Sequence, residues 1–202
     1  MNIWKIEFEN LISRELLLSN ETKKLIRNNA PKSLYKYKAV NEYTINSIKN
    51  GTMWATSPNN FNDQYDCALF CDDVQVIQRK ILDIYNSDLV KENIYIDSIL
   101  RHVDLKHKTS LIEKELNRIR NELAIICLTE DNDNILMWSY YGNNHRGICI
   151  EYDFNLIHNF SEVFPVIYKD EIFDFSKSIA NIDPNGIFRK VLNKSSAWEY
   201  EN

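Results

Sequence analysis

Two short stretches of the chain concentrate side chains able to do chemistry. Residues 57–66 pack Asn59, Asn60, Asn62, Asp63 and Asp66, together with Ser57, into ten positions. Amides, carboxylates and a hydroxyl at that density suit hydrogen bonding to a polar ligand, and loops carried on a rigid scaffold are where such groups usually work. The same side chains also bond local backbone and build rigid turns with no ligand at all. Residues 135–147 combine Trp138, Tyr140, Tyr141, His145 and Arg146. Aromatic rings with polar tips suit a pocket that stacks a flat ligand, such as a base or nicotinamide, while bonding its edge. The structural alternative is a helix whose Trp138 and Tyr141 fill the core and which His145 caps.

Metal chemistry has weaker support. Zinc would need Cys67 and Cys71 with converging partners such as His102 and His107, and no second closely spaced Cys pair backs that set, so no metal is expected. A magnesium-dependent nuclease would gather Asp63, Asp66 and Glu151, carboxylates that sit among amides and aromatics rather than among further acids.

The elements that must position these groups follow from periodicity and punctuation. Apolar residues Ile3, Trp4, Phe8, Leu11, Ile12 and Leu16 recur near helical spacing. A short second helix follows Ser19 and ends before Pro31, because proline drives the preceding residue out of the α region. Residues 34–37 form a β-prone run. Asn41 can cap a helix carrying Ile45 and Ile48 that stops at Asn50-Gly51. Residues 52–56 read as a strand opening into the amide-rich loop, so a strand, helix, strand unit leads to it. Residues 74–123 are charged and helix-favouring and predict a two- or three-helix insertion. The apolar run 123–128 reads as a central strand, 135–141 as a short helix and 147–153 as a strand, with a Phe-rich strand at 163–168 and a helix near 183–192. Cys127 and Cys149 fall in these strands and read as buried thiols. The fold class is α+β: a mixed, mostly antiparallel sheet in a domain over residues 31–202, preceded by a helical lead-in over 1–30. In this arrangement the two chemistry-bearing blocks leave adjacent strand ends and face one cleft.

Composition bounds what that cleft can serve. Apolar residues make up 44% and aromatics 12% of the 202 residues, so a real core can form, while four Gly and four Pro leave little room for flexible linkers. A net charge of −5 argues against non-specific binding of duplex nucleic acid. No run of about 18 apolar residues occurs and the N-terminus lacks a leader pattern, so membrane insertion is not expected and the chain reads as cytoplasmic. A small-molecule or nucleotide ligand, with a protein partner as the second option, is the expected occupant.

Taken together, Leu34-Tyr35-Lys36-Tyr37, Ser57-Pro58, Phe61-Asn62-Asp63, Asp66, Ile135-Leu136-Met137-Trp138-Ser139, Tyr141, His145, Gly147, Cys149-Ile150-Glu151 and Trp198-Glu199-Tyr200-Glu201 resemble the bacterial family catalogued as domain of unknown function 2971. The resemblance spans roughly residues 33–202 and departs at Gln64, where members often carry proline. It implies a ligand-contacting set of Tyr35, Lys36, Tyr37, Phe61, Asn62, Asp63, Asp66, Trp138, Ser139, Tyr141, His145 and Glu151. Members usually continue beyond Trp-Glu-Tyr-Glu with an acidic residue, an aromatic, an arginine and further strands. The resemblance therefore implies strands beyond Asn202.

The order of a basic residue on an early strand, a Ser-bearing strand end and a late Glu-x-Glu is also similar to ADP-ribosyltransferases. That similarity implies an NAD-using enzyme of a phage-defence or stress system. Glu201 would stabilise the oxocarbenium-like state as the glycosidic bond breaks. Glu199 would act as general base, and Ser57 would orient Glu201. Lys36 would hold the pyrophosphate, and Trp138 or Tyr141 would stack on nicotinamide. The competing expectation is a non-catalytic module of such a system, sensing a ligand or a protein.

Overall fold

The computed structural model describes residues 2–15, 17–61, 117, 120–158, 162–170, 189 and 191–202. Most of the helical insertion expected over 74–123, the helix expected near 183–192 except for residues 189, 191 and 192, and Asn62, Asp63, Asp66, Cys67, Cys71, His102 and His107 lie outside the described residues.

The chain opens with α1, Ile3–Ile12, and α2, Asn20–Asn29. Helix α1 buries Lys5, Phe8 and Ile12, a face set by the i, i+3 and i+4 spacing of helical neighbours. The broader stripe expected from the sequence is corrected here: Ile3 is 82% exposed. Ser19 caps α2 by accepting from the Thr22 amide at 3.2 Å, and Ala30 ends it in the extended conformation that Pro31 requires.

Strand β1, Ser33–Lys38, follows, then helix α3, Glu42–Asn50. Asn41 accepts from the Thr44 amide at 2.9 Å and Gly51 closes the helix in the left-handed region at φ +60°, the cap chemistry expected of both. After a one-turn 3-10 helix at Pro58–Asn60 come α4, Ile135–Tyr140, β2, Ile148–Asp153, α5, Phe154–His158, β3, Ile167–Lys169, and β4, Asn193–Ser195. A 3-10 helix, Ser196–Glu201, ends the described chain.

Strand β1 pairs antiparallel with β2, Tyr37 opposite Cys149 and Tyr35 opposite Glu151. Its other edge meets Thr129 through Tyr35, and the same ribbon reaches Thr56 through Ile125. Among the described residues, the strands expected at 52–56 and 123–128 thus contribute single bridges rather than full ladders. The strands of a further pair, β3 and β4, run parallel. The architecture is α+β, with small sheets flanked by short helices.

One core joins these elements. Phe8, Ile12, Leu17 and Ile26 from the lead-in pack with Leu34 of β1, Phe154 of α5, Ile167 of β3 and Leu192. Polar ties reinforce the contact at its rim. Lys5, buried beneath this face, reaches Glu130 at 2.9 Å and donates to the Asn202 side chain, while Lys169 pairs with Glu9. Among the described residues no helix is long and apolar enough to cross a membrane.

Candidate functional site

The site is built where α4 meets the C-terminal 3-10 helix. Asn134 is the hinge of that junction. Its side-chain oxygen accepts from the Leu136 and Met137 amides at 2.9 and 3.2 Å, capping α4, and its amide donates to the Tyr200 carbonyl at 2.8 Å. One side chain therefore starts the helix and fixes the neighbouring turn against it.

Beyond Tyr140 the chain turns back through three consecutive non-glycine residues in the left-handed region, Asn143, Asn144 and His145, at φ 50°, 53° and 63°. Each costs on the order of 1 kcal/mol or more, so surrounding bonds must hold the turn. Those bonds are present: His145 N to Trp138 O at 3.1 Å, Asn144 N to Ser139 O at 3.2 Å and Gly147 N to Gly142 O at 2.7 Å. Gly147 is required by packing, because a Cβ there would stand 2.3 Å from the Lys38 carbonyl on β1. The turn delivers the chain into β2 with Asn143, Asn144, His145 and Arg146 exposed.

Tyr37 anchors the other flank. It is buried, donates to the Asp131 carbonyl at 3.0 Å and meets Trp138 edge-on at 5.0 Å between ring centroids. Trp138 in turn donates to the Asn132 carbonyl at 3.2 Å. Burial, with Cys149 and Asp131 nearby, pushes the Tyr37 phenol up to about 12, and burial likewise raises the Cys149 thiol. Since the unfolded phenol ionises near about 10, the stability that depends on protonated Tyr37 is complete below that pH and is lost as pH rises through the folded value. A spectrophotometric alkaline titration is expected to resolve one phenol near 12 that vanishes in Tyr37→Phe; a single unresolved tyrosine wave would contradict this placement.

At the centre lies Glu201. Tyr141 Oη donates to Oε1 at 2.5 Å and Lys194 Nζ stands 2.6 Å from Oε2, with only 12% and 11% of the Lys194 and Glu201 side chains exposed. The Lys194 ammonium also lies 5.1 Å from the Trp198 ring centroid. From Trp198 a row of rings runs outward, to Tyr200 at 5.8 Å and on to Tyr140 at 6.2 Å, each pair tilted by about 40°. Burial raises the Tyr200 phenol, with Glu201 and Tyr140 adding to the effect. Below this row Thr129 Oγ1 donates to the Asn202 carbonyl at 2.7 Å, tying the turn to the ribbon beside β1.

The remaining expected site residues are distributed elsewhere. Strand alternation sends Lys36 to the face of Leu34, away from Tyr35 and Tyr37. Its amine donates to the Cys127 carbonyl at 2.7 Å, and burial lowers its pKa. Tyr35 is half-buried between Thr129 and Glu151. Ser57 donates to the Arg120 carbonyl at 3.0 Å and accepts from the Asn59 amide at 3.3 Å, shaping its own turn, which Phe61 closes. Glu151 accepts from Ser33 at 2.5 Å, Ser139 is half-buried, and His145 and Glu199 are exposed. Cys127 is exposed, a correction to its expected burial, because it lies on a ribbon joined by isolated bridges rather than inside a ladder.

The expected adjacency of the two motif blocks also changes. Thr56 and β2 stand at opposite sides of a row in which β1 and the ribbon 125–129 intervene. Lys36, Ser57 and Glu201, the residues of the expected NAD site, hydrogen-bond to different partners: the Cys127 carbonyl, the Arg120 carbonyl and Tyr141. Lys194 and Asn134 are not among the residues expected from the sequence, and Tyr140 is expected only as a member of the aromatic block, outside the ligand-contacting set. Asn134 was legible as a cap before an apolar run, and Tyr140 as an aromatic of the block, whereas nothing local distinguishes Lys194.

A family model described as "Protein of unknown function (DUF2971)" matches residues 137–202, a narrower span than the motifs quoted above. No curated protein and no solved structure matches the chain. The matched segment contains Tyr140, Tyr141, Lys194, Trp198, Tyr200 and Glu201 together.

Proposed function

We infer that the chain, whose residues 137–202 match the DUF2971 family model, acts as a non-catalytic recognition module whose working surface is the row of rings Tyr140, Tyr200 and Trp198. The observation that carries this reading is the state of Glu201. Both of its carboxylate oxygens are engaged, by Tyr141 and Lys194, and its side chain is nearly excluded from solvent. A carboxylate that stabilises a developing cation must face the reacting atoms, and for Glu201 to do so it would have to give up one of these partners inside a buried pair. Its geometry instead suits a strut that fixes the rings above it.

The strained turn at 143–145 supports the same reading, since it spends backbone strain on holding polar side chains at the surface just after α4. A module of this kind works by fixed shape and exposed aromatic area rather than by proton transfer. The decisive measurement is incubation of the protein with labelled NAD, alone and with cell lysate. Recognition without catalysis predicts no NAD consumption and no label transfer. Turnover that disappears in Glu201→Gln would instead establish the transferase-like reading of Glu201, with Glu199 as its base.

A further inference from the structure

We propose that the outer end of the aromatic row, Tyr140 with Tyr200, is a docking surface for a basic, extended segment of a protein partner that lays an arginine or lysine cation on the rings; this rests on the recognition reading above.

The chain already carries out this recognition once, with its own side chain. The Lys194 ammonium is held between a carboxylate at 2.6 Å and the Trp198 ring at 5.1 Å. Cations bind such ring faces through the quadrupole, and a carboxylate beside the ring adds a charge-assisted bond. The inner end of the row is thus occupied from within. The outer end repeats the ingredients and faces solvent: Tyr140 is 67% exposed and tilted against Tyr200.

Charge at this end favours a cation. Asp133 precedes Asn134, whose amide binds the Tyr200 backbone, and Asp131 lies next to it. Asp133 is exposed, and a hydrogen bond to Asp131 together with that neighbour's charge holds its carboxyl above the usual range. Glu199, also exposed, separates Trp198 from Tyr200 in the chain. A nucleotide would bring phosphates toward these carboxylates, whereas a guanidinium or ammonium relieves their repulsion.

The dimensions favour an extended segment. Alternate side chains of an extended strand recur about every 6.6 Å, close to the ring steps of 6.2 and 5.8 Å. Leu136 lies one helical turn before Tyr140 on the same face of α4, with Ile135 beside it, and both are exposed. A segment that alternates basic and aliphatic residues satisfies both features.

The test is fluorescence anisotropy of a short labelled peptide alternating arginine and leucine, compared with the same peptide carrying glutamate for arginine. The basic peptide is expected to bind, the acidic one not. Tyr140→Ala is expected to weaken binding about fivefold or more, with Tyr140→Phe close to wild type. Asp133→Asn should weaken it less, and added salt should weaken it further. Because both side chains are exposed, an unchanged melting temperature excludes misfolding as the cause. Equal binding of the two peptides, or an unaltered affinity in Tyr140→Ala, overturns the proposal. Either result without NAD consumption leaves the recognition reading standing, whereas NAD consumption lost in Glu201→Gln removes that reading itself.

Discussion

Replacing Phe8 with alanine is expected to lower the free energy of unfolding by about 3 to 5 kcal/mol, the cost of deleting a buried aromatic and leaving a cavity. Phe8 is fully buried and shares its cluster with Leu34, Phe154 and Ile167, so the loss falls on strands as well as on the lead-in helices. The denaturation midpoint should therefore move as a single transition, reported equally by helical circular dichroism and by fluorescence of Trp138, on the far side of β1 against Tyr37, in a background with Trp4, Trp54 and Trp198 replaced by Phe. An early loss of helical signal with Trp138 unaffected would mean that α1 is a separable appendage. Ile3→Ala on the same helix serves as the control. Its side chain is 82% exposed, and surface changes of this kind usually stay within about 0.5 kcal/mol.

Glu201→Ala carries the second large effect, a destabilisation of about 3 to 5 kcal/mol, because it strands a buried ammonium without its counter-charge. The Lys194 and Glu201 side chains are each almost fully enclosed and the pair is closed by Tyr141. Joint replacement, Lys194→Met with Glu201→Leu, removes both charges and is expected to recover most of the loss, since apolar pairs of similar volume often match buried ion pairs. Glu201→Gln should fall between the two, keeping a bond to Tyr141 while losing charge. Chemical denaturation of the four proteins decides the matter. A Glu201→Ala protein as stable as wild type would show that the carboxylate is not a strut and would return it to the catalytic reading.

Several elements were legible from local chemistry because local chemistry makes them. Asn41 and Gly51 bracket α3 through a side-chain cap and a left-handed stop, Pro31 ends α2, and the strand expected over 147–153 forms as β2. Each is decided within one turn of chain. The strands expected at 52–56 and 123–128 were overstated for the complementary reason. An apolar run reports burial and β propensity, but a ladder needs a partner in register, and among the described residues each run meets its neighbour at a single residue.

The same division runs through the site. Tyr141, Trp138 and Glu201 were identifiable as chemistry-bearing residues, yet which of them touch was not. Glu201 takes up Lys194 from β4 and Tyr141 from the turn after α4, and Lys36, three residues into β1, is carried to the opposite face by strand alternation. Residue types, caps and periodicity determined that this is an α+β chain with an aromatic, polar block near its C-terminal third. Only the tertiary structure decided that the late glutamate is spent on an ion pair largely shielded from solvent and that Tyr140, at the outer end of the ring row, faces solvent. Pairing of charges depends on distances across the chain, which no local spacing encodes.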